Sequence, residues 1–84
     1  MLNVYMIYRS VTRGQSAREI LERAGIACDL RRSPGKLSPT GCAYALLVRQ
    51  EDFHTADQAL IRGGSPWDRV YFRNRDGSFT RMTP

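Results

Sequence analysis

Two helices packed on one face of a four-stranded antiparallel sheet is the fold that this 84-residue sequence predicts. Three observations carry the expectation. Strand-like and helix-like segments follow one another in the order βαββαβ, the segments 3–9 and 43–49 are apolar on both faces, and two further segments place apolar residues at helical spacing. Right-handed crossovers convert that order into the strand order 4-1-3-2, the ferredoxin-like α+β plait, with residues 1–73 as a single domain.

Residues 3–9 (NVYMIYR) are rich in β-branched and aromatic side chains and read as a central, doubly buried strand. Ser10, Val11 and Thr12 then offer hydroxyl caps to a helix whose apolar stripe is Ala17, Ile20, Leu21 and Ala24, with Arg18, Glu19, Glu22 and Arg23 pointing away. Gly25 stands where a left-handed helix stop falls. In residues 26–31, Ile26, Cys28 and Leu30 share one face and Ala27, Asp29 and Arg31 the other, the pattern of a half-buried strand. Residues 32–41 (RSPGKLSPTG) hold two prolines, two glycines and two serines and read as a loop, long for a hairpin link and of the kind that often serves function.

Residues 43–49 (AYALLVR) form the third strand, and residues 50–62 the second helix, with Phe53, Ala56 and Leu60 on one stripe before Gly63-Gly64. Residues 67–73 (WDRVYFR) alternate as a fourth strand. The turn signal Asn74-Arg75-Asp76-Gly77 follows, so residues 74–84 are either an extra edge strand returning as a hairpin or a mobile tail.

Composition excludes several classes of function. The apolar share is 42% and the charged share 25%, ordinary for a folded domain. No run reaches the roughly 20 apolar residues of a membrane span, and MLNVYMIYRS lacks the pattern of a signal peptide, so a cytoplasmic protein away from membranes is expected. Two cysteines, Cys28 and Cys42, are too few for a disulfide scaffold or a structural zinc site, and no metal or cofactor is expected. His54, the only histidine, falls within the second helix as a surface residue, which argues against a Ser-His-Asp triad. Gly63-Gly64 lacks the context of a phosphate loop. The third strand has neither the Gly nor the Phe of an RNA-recognition motif, so nucleic acid is not an expected partner. Thirteen basic residues against eight acidic ones give +5, and Lys36 is the only lysine; small anions are natural partners for so many guanidiniums. A domain this small often gains stability by pairing with a copy of itself, which makes a homodimer an open expectation.

The predicted topology brings the start of the first helix, the loop 32–41 and the start of the third strand to one edge of the sheet. Ser10, Thr12 and Arg13 are therefore expected near Cys42, with Arg13, Arg31, Arg32 and Lys36 as candidate cations. A thiol beside a helix N-terminus and cations is stabilised as thiolate, the nucleophilic form. Gly41 and Ala43 on either side leave the sulfur approachable. A small buried hydrophobe is the other reading of Cys42, and core packing is the reading of Cys28, with a Cys28–Cys42 bridge as the redox alternative.

The first strand followed by Ser10-Val11-Thr12, the helix ending Leu21-Glu22-Arg23-Ala24-Gly25-Ile26, then Pro34, Leu37-Ser38 and Gly41-Cys42-Ala43-Tyr44-Ala45-Leu46, resembles the small bacterial family of selenium/sulfur carrier-like proteins. The resemblance runs from Val4 to Tyr71 and implies that Cys42 is the reactive cysteine, with Ser38 and Pro34 in its loop and Ser10 and Thr12 at the helix start. Two departures stand out: Ala43 replaces the glycine usual after the cysteine, and the loop is about one residue longer between Ser38 and Cys42. The implied function is a sulfur or selenium carrier, which holds a persulfide or selenosulfide on Cys42 and exchanges it with protein donors or acceptors without being a true catalyst. The alternative is a non-catalytic module that binds a small anion or a protein at the same edge.

Overall fold

The structure, a computed structural model, describes residues 1–37 and 43–82. Its elements are β1 (Leu2–Tyr8), α1 (Val11–Arg23), β2 (Cys28–Arg32), a 3-10 turn (Gly35–Leu37), β3 (Tyr44–Arg49), a second 3-10 turn (Gln50–Asp52), α2 (Phe53–Arg62), β4 (Arg69–Arg73) and β5 (Phe79–Met82). All strand pairs are antiparallel, and the sheet order is β2-β3-β1-β4-β5.

The expected four-stranded sheet is thus corrected to five strands, the inner order β4-β1-β3-β2 being the 4-1-3-2 of the plait. The physical reason lies in the turn after β4. Asn74 N–H donates to Ser78 O (2.8 Å), Gly77 N–H to Asn74 O (3.0 Å), and the Asp76 carboxylate accepts from Ser78 N–H (2.9 Å). This tight reversal lays Phe79–Met82 along the free edge of β4, where Arg73 faces Phe79 and Val70 faces Met82.

Alternation along the strands builds two apolar layers. On one face Val4, Met6 and Tyr8 of β1, Leu46 and Val48 of β3 and Val70 of β4 pack against Ala17 and Leu21 of α1 and Ala56 and Leu60 of α2. On the other, Tyr5, Ile7, Ala45 and Leu47 pack with Leu37 and Ala43, and Leu2, Tyr71 and Phe79 border them. Both helices stop by the same device. Gly25 (φ 75°) and Gly64 (φ 76°) adopt the left-handed conformation, and Ile26 N–H and Ser65 N–H reach back to Leu21 O and Leu60 O, each at 2.9 Å. Because the Ile26 amide is used in this stop, β2 begins at Cys28 and not at residue 26.

Tyr8 ends β1 fully buried, and its hydroxyl donates to Ser65 O at 2.6 Å, which ties the last residue of the central strand to the segment after α2. Burial, followed by the nearby Asp68 charge, pushes its phenol well above the usual tyrosine range, while Arg13 opposes the rise. Tyr8 therefore stays neutral in the folded chain at pH values where the unfolded chain ionises. The unfolded state then binds fewer protons, so stability falls as pH rises above about 10. Tyr8→Phe is expected to lose about 1 kcal/mol at neutral pH and to flatten that alkaline decline, both measurable by urea unfolding.

Candidate functional site at the start of α1

The edge of the sheet where β1 ends is assembled by hydrogen bonds from three segments. Arg9 N–H donates to the Asp68 carboxylate (3.0 Å), which sets the exit of the chain from β1. Ser10, extended at φ −130° and ψ 151°, caps α1: its Oγ accepts from Arg13 N–H (3.2 Å) and its carbonyl from Gly14 N–H (3.1 Å). Thr12 and Arg13 are exposed, and the first turn of α1 holds no carboxylate, so no acidic side chain there offsets its partial positive charge.

Gly14, one turn in, is buried. A Cβ placed there would stand 3.0 Å from Leu30 Cδ1 and 3.8 Å from Tyr44 Cβ, so the missing side chain lets α1 approach β2 and β3 closely. Tyr44 faces Tyr8 on β1 and Arg32 on β2, which puts the ends of β1 and β2, the start of β3 and the first turn of α1 at one end of the sheet. Beyond β2, Ser33 N–H donates to Ala43 O (3.0 Å), and Pro34 O accepts from Leu37 N–H (2.9 Å) to close the 3-10 turn. Leu37 and Ala43, on either side of residues 38–42, both pack on the helix-free face of the sheet.

Of the residues expected from sequence, Ser10, Thr12, Arg13 and Pro34 are brought to this edge. Ser38, Gly41 and Cys42 lie outside the described residues. Arg32 is exposed at the same edge. Lys36, exposed in the 3-10 turn, is not brought to this edge; it lies near enough to Asp76 of the β4–β5 turn for its charge to add to the Ser78 hydrogen bonds that hold that carboxyl below its ordinary value. Arg31 is bound to its own strand: its guanidinium donates to the Asp29 carboxylate, with Nε at 3.0 Å, and it lies opposite Ala45 on the helix-free face. Among the described residues, no group of His, Cys, Asp and Glu could hold a metal ion, and no helix is long and apolar enough to cross a membrane.

Sequence reasoning missed two features. Asp68 braces this edge through Arg9, a contact across 59 residues that no local pattern marks, and Trp67 beside it donates to Asp57 of α2 (2.9 Å). A cleft of about 770 Å³ at the opposite end of the sheet, lined by Leu2, Asn3, Gln50, Phe72, Arg73 and Arg75 among others, includes none of the expected site residues.

Cys28 behaves as the packing residue expected of it. It is half-buried against the helix-side core, and burial, followed by the Glu22 charge, pushes its thiol pKa up. It pairs with Val48 of β3; the other half of the Cys28–Cys42 alternative lies outside the described residues. Alkylation of Cys28 is expected to become half-maximal at a pH above that of a free thiol, read by mass mapping across a pH series. Ser10→Ala is expected to lower stability by about 1 kcal/mol through loss of the cap on Arg13 N–H, while Ser10→Asp retains most of it.

No curated protein and no solved structure matches the chain. A family model described as "Putative Se/S carrier protein-like" matches residues 3–71, which runs from β1 through both helices into β4. The chain belongs to that family.

Proposed function

We propose that this chain carries sulfur or selenium on Cys42. The observation that carries the reading is membership of the Se/S carrier-like family over residues 3–71, a span that includes Cys42. In the proposed step the Cys42 thiolate attacks the terminal sulfur of a donor persulfide. A new S–S bond forms at Cys42, the donor S–S bond breaks, and the donor leaves as thiolate, with no net oxidation or reduction. Selenium transfers in the same way as a selenosulfide, and an acceptor protein removes the atom by the reverse attack.

The edge built by α1 suits such an anionic adduct. A helix start capped by Ser10, bearing Arg13 and free of acidic residues, favours thiolate and persulfide alike. Arg32 adds positive charge from the end of β2, and Thr12 adds a hydroxyl. Pro34 closes the turn that leads to residues 38–42, and Ser38 and Gly41 are the loop neighbours that complete the proposed site.

Intact mass after incubation with a small-molecule persulfide donor tests this reading. The parent and Cys28→Ser are expected to gain one sulfur, and Cys42→Ser none. Alkylation of Cys42 is expected at a pH below the free-thiol value of about 8.5. Sulfur gained on Cys28, or by neither cysteine, overturns the reading.

A further inference from the structure

The net charge of +5 is segregated. Residues 9–25 and 49–68, which hold both helices, carry six arginines and six carboxylates, whereas the remaining strands and turns carry seven cations and two carboxylates. Both of those carboxylates are engaged, Asp29 by Arg31 and Asp76 by Ser78 with the Lys36 charge nearby, which leaves five cations. The excess charge therefore has no internal counterpart.

Strand register gathers much of it on the helix-free face. Tyr71 of β4 lies opposite Tyr5 on one side and Arg81 of β5 on the other, Arg69 lies opposite Ile7, and Arg73 opposite Phe79. A half-buried tyrosine is thus ringed by three guanidiniums, and among the described residues none of the three has a carboxylate at ion-pair distance. Like charges gathered on adjacent strands are unfavourable until an opposite charge arrives. The floor beneath them is apolar, and the same face receives Leu37 and Ala43.

The rings decide what kind of partner fits. Tyr5 is 6% exposed and meets Phe79 edge-on, with centroids 5.1 Å apart and planes at 82°. Tyr5 on the neighbouring strand is thus covered, which leaves Tyr71 without a second open ring beside it to stack successive bases. Tyrosine and arginine over an apolar floor are the residues enriched at protein–protein hot spots.

We infer that the helix-free face of β4 and β5, centred on Tyr71, Arg69, Arg73 and Arg81, docks an acidic surface of the protein that exchanges sulfur or selenium with Cys42. The partner's role rests on the carrier reading; the surface rests on charge and register alone. Binding is measured by fluorescence anisotropy with a labelled poly-L-glutamate peptide and, at equal charge and salt, with single-stranded poly(U). Two doubly substituted chains lose the same charge: Arg73→Gln with Arg81→Gln on the sheet, and Arg23→Gln with Arg62→Gln on the helices. All four positions are exposed, and circular dichroism verifies that both chains fold.

The sheet variant is expected to bind polyglutamate at least tenfold more weakly, and the helix variant less than twofold. Equal losses, or no binding by the parent, overturn the inference. Tighter binding of poly(U) than of polyglutamate overturns it in favour of nucleic acid. Sulfur loading of Cys42 from the small-molecule donor is expected to be unchanged in both variants. A parent that binds polyglutamate through this face without loading sulfur removes the carrier reading and leaves the docking surface standing; loading without face-specific binding does the reverse.

Discussion

Burial of β1 on both of its faces is the constraint around which this small domain is arranged. Val4, Met6, Ile7 and Tyr8 are at most 1% exposed, and Tyr5 is 6% exposed. Each such side chain contributes about 1.5–3 kcal/mol when removed from water, a large share of the net stability of a domain this size. A strand with two apolar faces needs two covers. The helices supply one through Ala17, Leu21, Ala56 and Leu60. The other has no helix in it and draws instead on Leu37, Ala43 and, at its border, Phe79. Leu37 and Ala43 from outside the strands, and Phe79 of the last hairpin, are thus part of the core.

Polar contacts at the end of β1 complete the arrangement. Tyr8, Arg9 and Ser10 in succession engage Ser65, Asp68 and Arg13. The chain leaving the central strand is held by the segment after α2 before it enters α1, so the position of the α1 start depends on residues more than fifty positions away. Gly14 then sets how closely that helix start approaches β3. Any chemistry at this edge inherits its geometry from the core behind it.

Charge follows the same two-sided plan. The helix-bearing segments are balanced in charge, with pairs such as Arg18–Glu22, and exposed pairs of this kind contribute little to stability. The excess lies on the strands and turns, where the helix-free face leaves Arg69, Arg73 and Arg81 around Tyr71. One face of the sheet thus provides the scaffold for the helices, and the other offers a charged surface on the side that also receives Leu37 and Ala43.

Much of this was legible in the sequence because it is written in local chemistry. Alternation in VYMIY, the stripe Ala17, Ile20, Leu21, the cap at Ser10 and the stop at Gly25 each follow from backbone geometry within a few residues. The likeness carried by Ser10-Val11-Thr12, the helix end Leu21 to Ile26, Pro34, Leu37-Ser38 and Gly41 to Leu46 is to the family whose model matches residues 3–71. The fifth strand was only half legible, since Asn74-Arg75-Asp76-Gly77 marks a turn without saying whether the returning chain will pair. What decided it was the free edge of β4 and the Tyr5 ring waiting for Phe79. Asp68 against Arg9 was beyond sequence reasoning for the same reason, whereas alternation had already put Arg31 and Asp29 on one face of β2. Periodicity and caps act within one segment and are determined by the sequence by itself. Which distant segments share an edge, and which side of the sheet keeps its charges unpaired, is decided only when the strands pair, because register then assigns every side chain to a face.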